Sequence, residues 1–101
     1  SQLLLTGQGK HARADASITA HYRGALLNGA EFDSSYRRKA PATFSVNQVI
    51  PGWKEVLPLM HEGDKWQVFI PSELAYGERG SGNAIGPNET LVFEIELIKV
   101  N

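Results

Sequence analysis

Cysteine is absent from this 101-residue sequence, which excludes disulfide scaffolds, cysteine-bearing zinc sites, thiol nucleophiles and iron–sulfur clusters. The absence does not fix a compartment, because a cysteine-free chain is at home in either redox environment. Excess charge is missing too: ten basic against eleven acidic residues leave a formal net charge of -1, with no global field for nucleic acid or an anionic membrane. No apolar run approaches the roughly 18 residues that span a bilayer, and Ser1 to Gly9 lacks the charged-then-apolar order of a signal peptide. Repeats, low-complexity tracts and linkers are also lacking, so residues 1–101 are expected to form one domain with its own core. The first residue is Ser1 rather than Met, and a mature or excised domain of a longer protein is expected.

What is present reads mostly as strands. Leu3 to Thr6, Ile18 to Tyr22, Ala42 to Val46, Trp66 to Ile70 and Leu91 to Val100 carry apolar, β-branched or aromatic residues at alternating positions. In the last of these, Leu91, Phe93, Ile95 and Leu97 share one face, which predicts a strand with a dry side, and Lys99 and Asn101 fade toward solvent. Asn28-Gly29 predicts a hairpin whose two central positions both take positive φ, while Gly7-Gln8-Gly9 and Glu62-Gly63-Asp64 mark lesser turns. Only Pro51 to Leu57 reads as helix, with Pro58 limiting it to about two turns. Its Trp53, Val56 and Leu57 fall on one face. From Tyr76 to Glu89 the apolar pattern stops in favour of four glycines and one proline, a long loop. The fold class expected is α+β, a strongly bent antiparallel sheet wrapped around one short helix.

Constellations for covalent or metal chemistry are not found. His11, His21 and His61 have no metal-ligand spacing, Gly80-Ser81-Gly82 with Gly86 does not match a nucleotide loop, and no nucleophile elbow exists. Asn88-Glu89-Thr90 fits a glycosylation triplet that arises often by chance. No metal and no cofactor is implied. The aromatic residues remain, and they admit two readings. They are either ordinary core, or the walls of an apolar pocket whose polar groups are Asp33, Arg38 and the Tyr76 hydroxyl.

Five motifs bear on that choice: Tyr22-Arg23-Gly24, Glu31-Phe32-Asp33-Ser34-Ser35, Val49-Ile50-Pro51-Gly52-Trp53, Leu74-Ala75-Tyr76-Gly77, and Thr90 to Leu97. Their order and spacing resemble the FKBP family of peptidyl-prolyl cis-trans isomerases over nearly the whole chain. Val49 to Trp53 and Ile85 to Leu91 resemble most the bacterial macrophage infectivity potentiator branch, whose members carry an N-terminal helical dimerisation region.

The resemblance implies a pocket with Trp53 as floor and Tyr22, Phe32, Phe44, Val49, Ile50, Ile85 and Phe93 as walls. It implies that Tyr76 offers its hydroxyl, and Ile50 its backbone N–H, to carbonyls of a bound chain, with Asp33 at the edge held by Arg38. Ala42 replaces a wall phenylalanine common in the family, with Phe44 as the substitute, and Ser81 and Ala84 make a loop-side wall of small groups. The activity implied is rotation about X-Pro bonds in protein folding, without covalent or acid–base chemistry, on proline-containing peptides and unfolded proteins. Macrolides such as tacrolimus or rapamycin would compete. By the same resemblance the domain is monomeric within a parent that forms a homodimer, makes no membrane contact itself, and resides in the bacterial periplasm or outer membrane, or alternatively the cytoplasm. Two other readings stay open: a module that holds proline segments with little turnover, and a purely structural β domain.

Overall fold

The structure, a computed structural model, describes residues 2–5, 7 and 9–101. Thr6 and Gln8, expected in the first strand and the first turn, lie outside the described residues. Among the described residues six strands are joined in one antiparallel sheet: β1 (Gln2–Leu5), β2 (Ser17–Leu26), β3 (Glu31–Ser34), β4 (Ala42–Ser45), β5 (Lys65–Ile70) and β6 (Leu91–Val100). Their order is β1-β5-β6-β2-β3, and β4 shares the β3 edge of β2. The two ten-residue strands β2 and β6 pair at the centre.

The period-two pattern of β6 is realised as expected. Leu91, Ile95 and Leu97 are wholly buried and Phe93 nearly so, while Ile98 and Lys99 are exposed. Val100 is buried out of phase because the β2 pairing steps from Ala20↔Leu97 to Thr19↔Lys99, leaving Ile98 as a bulge that switches the inward face.

The hairpin at Asn28-Gly29 forms, though not with the expected turn. Gly29 has φ 91°, whereas Asn28 is not among the residues of positive φ. Gly29 N–H donates to Leu26 O at 2.9 Å and Leu26 N–H donates to Ala30 O at 2.9 Å, closing a three-residue loop that ends in a left-handed glycine. One residue longer than a two-residue turn, this loop needs only one position at positive φ. Asn28 serves by its side chain, whose Oδ1 accepts from Ala30 N–H at 2.9 Å.

Helix α2 (Pro51–Val56) lies where Pro51 to Leu57 is expected, and runs into a 3-10 turn at Leu57–Leu59 that contains Pro58. Pro51 occupies the first turn, where a missing N–H costs nothing. Gly52 is required by close approach: a Cβ there would sit 2.5 Å from Ile70 Cγ2 on β5. The helix thereby settles onto the sheet with Trp53 and Leu57 buried and Val56 half-buried. The expectation of a single helical segment is corrected by a second, α1 (Ser35–Arg38), one turn long. Ser34 Oγ accepts from Arg37 N–H at 3.2 Å to cap its start, and Lys39 in left-handed conformation (φ 59°) ends it. The Tyr76 to Glu89 segment has neither helix nor strand beyond an isolated bridge between Ser81 and Ile85.

Candidate active site

Between α2 and the concave face of the sheet opens a cavity of about 260 Å³. Trp53, nearly buried on α2, contacts three rings edge to face: Tyr22 at 5.5 Å, Phe44 at 5.2 Å and Phe93 at 5.3 Å between centroids. Phe32 meets Phe93 at 5.7 Å and 90°. Each ring is held by neighbours of complementary quadrupole orientation, so the walls are stiff as well as apolar.

Two local devices make this enclosure possible. Opposite β2 the register passes from Gly24↔Asp33 to Ala25↔Glu31, which leaves Phe32 as a bulge. Consecutive residues of a regular strand face opposite ways; the bulge instead lets Phe32 and Asp33 both line the cavity. Gly24 is the second device, because a Cβ on it would lie 2.6 Å from Phe32 Cζ and 2.8 Å from Phe93 Cε1. The two rings meet over the space that a side chain at Gly24 would fill.

The polar groups gather at one edge. Tyr22 Oη donates to Asp33 Oδ2 at 2.5 Å, Arg38 Nη1 pairs with Asp33 Oδ1 at 2.5 Å, and Arg38 Nη2 donates to Tyr22 Oη at 2.9 Å. Ser34 N–H also donates to Asp33 Oδ1 at 2.9 Å. Burial works against the Asp33 charge, but the hydrogen bonds from Tyr22 and Arg38 outweigh it and hold the carboxyl below the usual aspartate range. Burial, reinforced by the Asp33 charge, pushes the Tyr22 hydroxyl above the ordinary phenol value. Both shifts point away from neutrality, so neither group is suited to exchange a proton near pH 7.

Of the residues singled out from sequence, Tyr22, Phe32, Asp33, Phe44, Val49, Ile50, Trp53, Tyr76 and Phe93 all line the cavity. Arg38 stands one contact back, on Asp33 and Tyr22. Ile85, 4% exposed, does not itself border the cavity but packs in the same buried cluster as Trp53 and Phe93, which do. Gln48, at the end of the 3-10 turn Val46–Gln48, also lines the cavity, although it belongs to none of the five motifs. Its one signal is its place directly before Val49-Ile50. The Ile50 backbone N–H has no acceptor among the described residues, and Tyr76, partly exposed, places its ring at the mouth with no partner for its hydroxyl there.

His11 and His61, unrelated by spacing, meet with ring centroids 3.6 Å apart and planes tilted by 44°, away from the cavity. Among the described residues no group of three or more His, Cys, Asp or Glu could hold a metal ion, and no helix is long and apolar enough to cross a membrane.

Comparison with known proteins brings relatives to this geometry. Residues 8–98 match the family described as FKBP-type peptidyl-prolyl cis-trans isomerase. The chain is 48% identical over 99 residues to the Outer membrane protein MIP of Legionella longbeachae, covering 98% of this chain and 42% of that protein. It is 50% identical over 99 residues to an FK506-binding protein of Neisseria meningitidis serogroup A, covering 96% of this chain and 91% of that one. The crystal structure of FkpA from Escherichia coli superposes with a TM-score of 0.94 at 42% identity, over 99% of this chain and 46% of that chain. The chain thus spans less than half the length of several curated relatives that it matches.

Proposed function

Since the chain belongs to the FKBP-type peptidyl-prolyl cis-trans isomerase family, we propose that its aromatic cavity catalyses rotation about X-Pro bonds of polypeptide clients. The observation that carries the reading is the pairing of an aromatic box over Trp53 with an edge cluster in which Tyr22 and Arg38 both hydrogen-bond the Asp33 carboxyl.

That combination suits a reaction in which no bond is broken. Rotation about an X-Pro bond works against amide resonance, with a barrier of about 18–20 kcal/mol, and takes about 10–100 s unaided. In the twisted state the nitrogen becomes pyramidal and the carbonyl loses its resonance charge, so the twisted imide is less polar than the planar one. An aromatic box from which the bound proline ring displaces water therefore favours it selectively. A rate gain of about a millionfold asks for only about 8 kcal/mol of differential stabilisation. At about 260 Å³ the cavity falls below the 300–1,000 Å³ of drug-sized sites, a size for one residue's ring with the rest of the chain across the rim. Ile50 N–H and the Tyr76 hydroxyl are the free donors for the carbonyls of that chain, and Gln48 adds an amide beside them. Arg38 keeps Asp33 aimed at the edge where the reacting carbonyl would lie.

Clients on this reading are proline-containing peptides and unfolded segments, and macrolides such as tacrolimus or rapamycin compete for the box. The name of the Legionella relative supports placement in the bacterial envelope rather than the cytoplasm.

A protease-free assay on a short peptide with an apolar residue before proline tests the reading. Expected are turnover well above background and its suppression by tacrolimus; folded protein that binds the peptide without accelerating it would instead be a holding module. Tyr76→Phe removes one neutral hydrogen bond of about 0.5–1.5 kcal/mol, so kcat/KM should fall about two- to tenfold with the fold unchanged. An unaltered rate would remove Tyr76 from the set of groups that touch the substrate.

A further inference from the structure

Along the β3/β4 edge of β2 there is a gap in the ladder. β4 pairs as far as Ala20 and β3 begins at Arg23, so His21 and Tyr22 have strand partners only on the β6 side. A buried backbone N–H and C=O at Tyr22 would be left unbonded there, each losing its water without a replacement partner. Neither is left unbonded. Ser35, wholly buried at the first position of α1, brings Oγ to 2.7 Å from Tyr22 N and 3.2 Å from Tyr22 O. It thus replaces a ladder residue where the chain turns out of the sheet. A third group, His21 Nδ1, lies 2.8 Å from the same oxygen.

A hydroxyl has one proton to give and can accept two. Tyr22 N–H can only donate and Tyr22 C=O can only accept. The single Ser35 proton therefore reaches the carbonyl only if His21 supplies a hydrogen from Nδ1. The opposite tautomer would draw that proton to the ring and orphan the carbonyl. Tyr36, the next residue of α1, stacks on His21 at 4.6 Å and 13° and fixes the plane of the imidazole.

We propose that Ser35 is a positioning residue of the site, its buried hydroxyl oriented by a donating Nδ1–H of His21 and fixing both Tyr22 and the one-turn helix that carries Arg38. Those are the two residues whose side chains hold Asp33. Ser35 touches neither the cavity nor a substrate, and it acts through both arms of the clamp at once. The consequence for turnover rests on the isomerase reading above; the hydrogen-bond arrangement does not.

The experiment has two parts. On the unaltered domain, ¹⁵N ring spectra at about pH 8, above the ordinary histidine pKa, should show His21 with its hydrogen on Nδ1, the less common neutral form in water. An Nε2–H ring would overturn the arrangement without any variant having to fold. In the second part, Ser35→Ala is compared with Val100→Ala, a truncation elsewhere in the core, by kcat/KM and by the ¹³C titration of the Asp33 carboxyl. Ser35→Ala should lower kcat/KM about tenfold and move the Asp33 titration up toward the ordinary aspartate value, while Val100→Ala moves neither. Equal behaviour of the two variants would make Ser35 a packing residue only. His21→Asn, which can still donate to Ser35, should lose less than His21→Leu; the reverse order would count against the proposal. If the unaltered protein had no turnover, the isomerase reading would fail while the Asp33 titration still decided the role of Ser35.

Discussion

Trp53→Ala is expected to cost about 3–5 kcal/mol of stability, the range for removal of a large buried ring, and to abolish measurable isomerisation. Trp53 is 4% exposed and is the one ring in edge contact with Tyr22, Phe44 and Phe93 together. Its loss removes the common neighbour of three walls, and the space cannot close easily. Gly52 already lies against Ile70 without room for a Cβ, so α2 has little freedom to move inward. A domain of this kind has a stability of about 5–15 kcal/mol, so Trp53→Ala should give up a large share of it. Trp53→Phe separates the two effects. The indole N–H is buried with no hydrogen-bond partner among the described residues, so replacing it by carbon removes an unpaid desolvation as well as part of the ring. Urea unfolding should therefore place Trp53→Phe much nearer the parent than Trp53→Ala, with activity reduced but present. If Trp53→Ala lost under about 1 kcal/mol, or kept its rate, the ring would not be the floor of the site.

How much of this arrangement can be read from the sequence depends on which interactions fix each part. The dry face of β6 is legible because alternation at Leu91, Phe93, Ile95 and Leu97 is a local pattern with a local cause, the pleat. Helix α2 is legible for similar reasons: Pro51 starts it, Pro58 bounds it, and Trp53, Val56 and Leu57 share a face. The bulges at Phe32 and Ile98 leave no such trace, since each is defined by what stands opposite on another strand. One of them decides that Phe32 and Asp33 face the same cavity. Helix α1 is too short to have a period, and its only mark is Ser34 placed to cap Arg37 N–H. The cavity residues, for their part, come from six separate stretches of chain: Tyr22, Phe32-Asp33, Phe44, Gln48 to Trp53, Tyr76 and Phe93. Nothing in the periodicity joins them; the resemblance of the motifs did. Gln48 lies in none of those motifs, and its place on the cavity is fixed by the 3-10 turn that carries it.

Asp33→Ala should lower kcat/KM about ten- to hundredfold, the equivalent of about 1.5–3 kcal/mol for interactions of a charged group, with little change in stability. The small effect on the fold follows from exposure. The Asp33 and Arg38 side chains are 39% and 49% exposed, and ion pairs so open to solvent contribute little. Catalysis is another matter, because the carboxylate keeps Tyr22 and Arg38 in place at the edge of the box. Asp33→Asn distinguishes geometry from charge: it retains a planar acceptor for Tyr22 while losing the negative charge. A rate near the parent would assign Asp33 to orientation, whereas a rate near that of Asp33→Ala would assign it to electrostatic interaction with the twisted carbonyl. The pH profile gives an independent reading. With a folded pKa held below the unfolded value of about 3.9, the ionised clamp and its contribution to stability are complete above that value. They are lost only as pH falls through the lowered one. Activity should thus stay level from neutral down to about pH 5 and decline only further into acid. In the Asp33→Asn variant that acid decline should be absent over the range in which the domain stays folded. A parent profile that already fell between pH 7 and 6 would mean that some other group controls the rate.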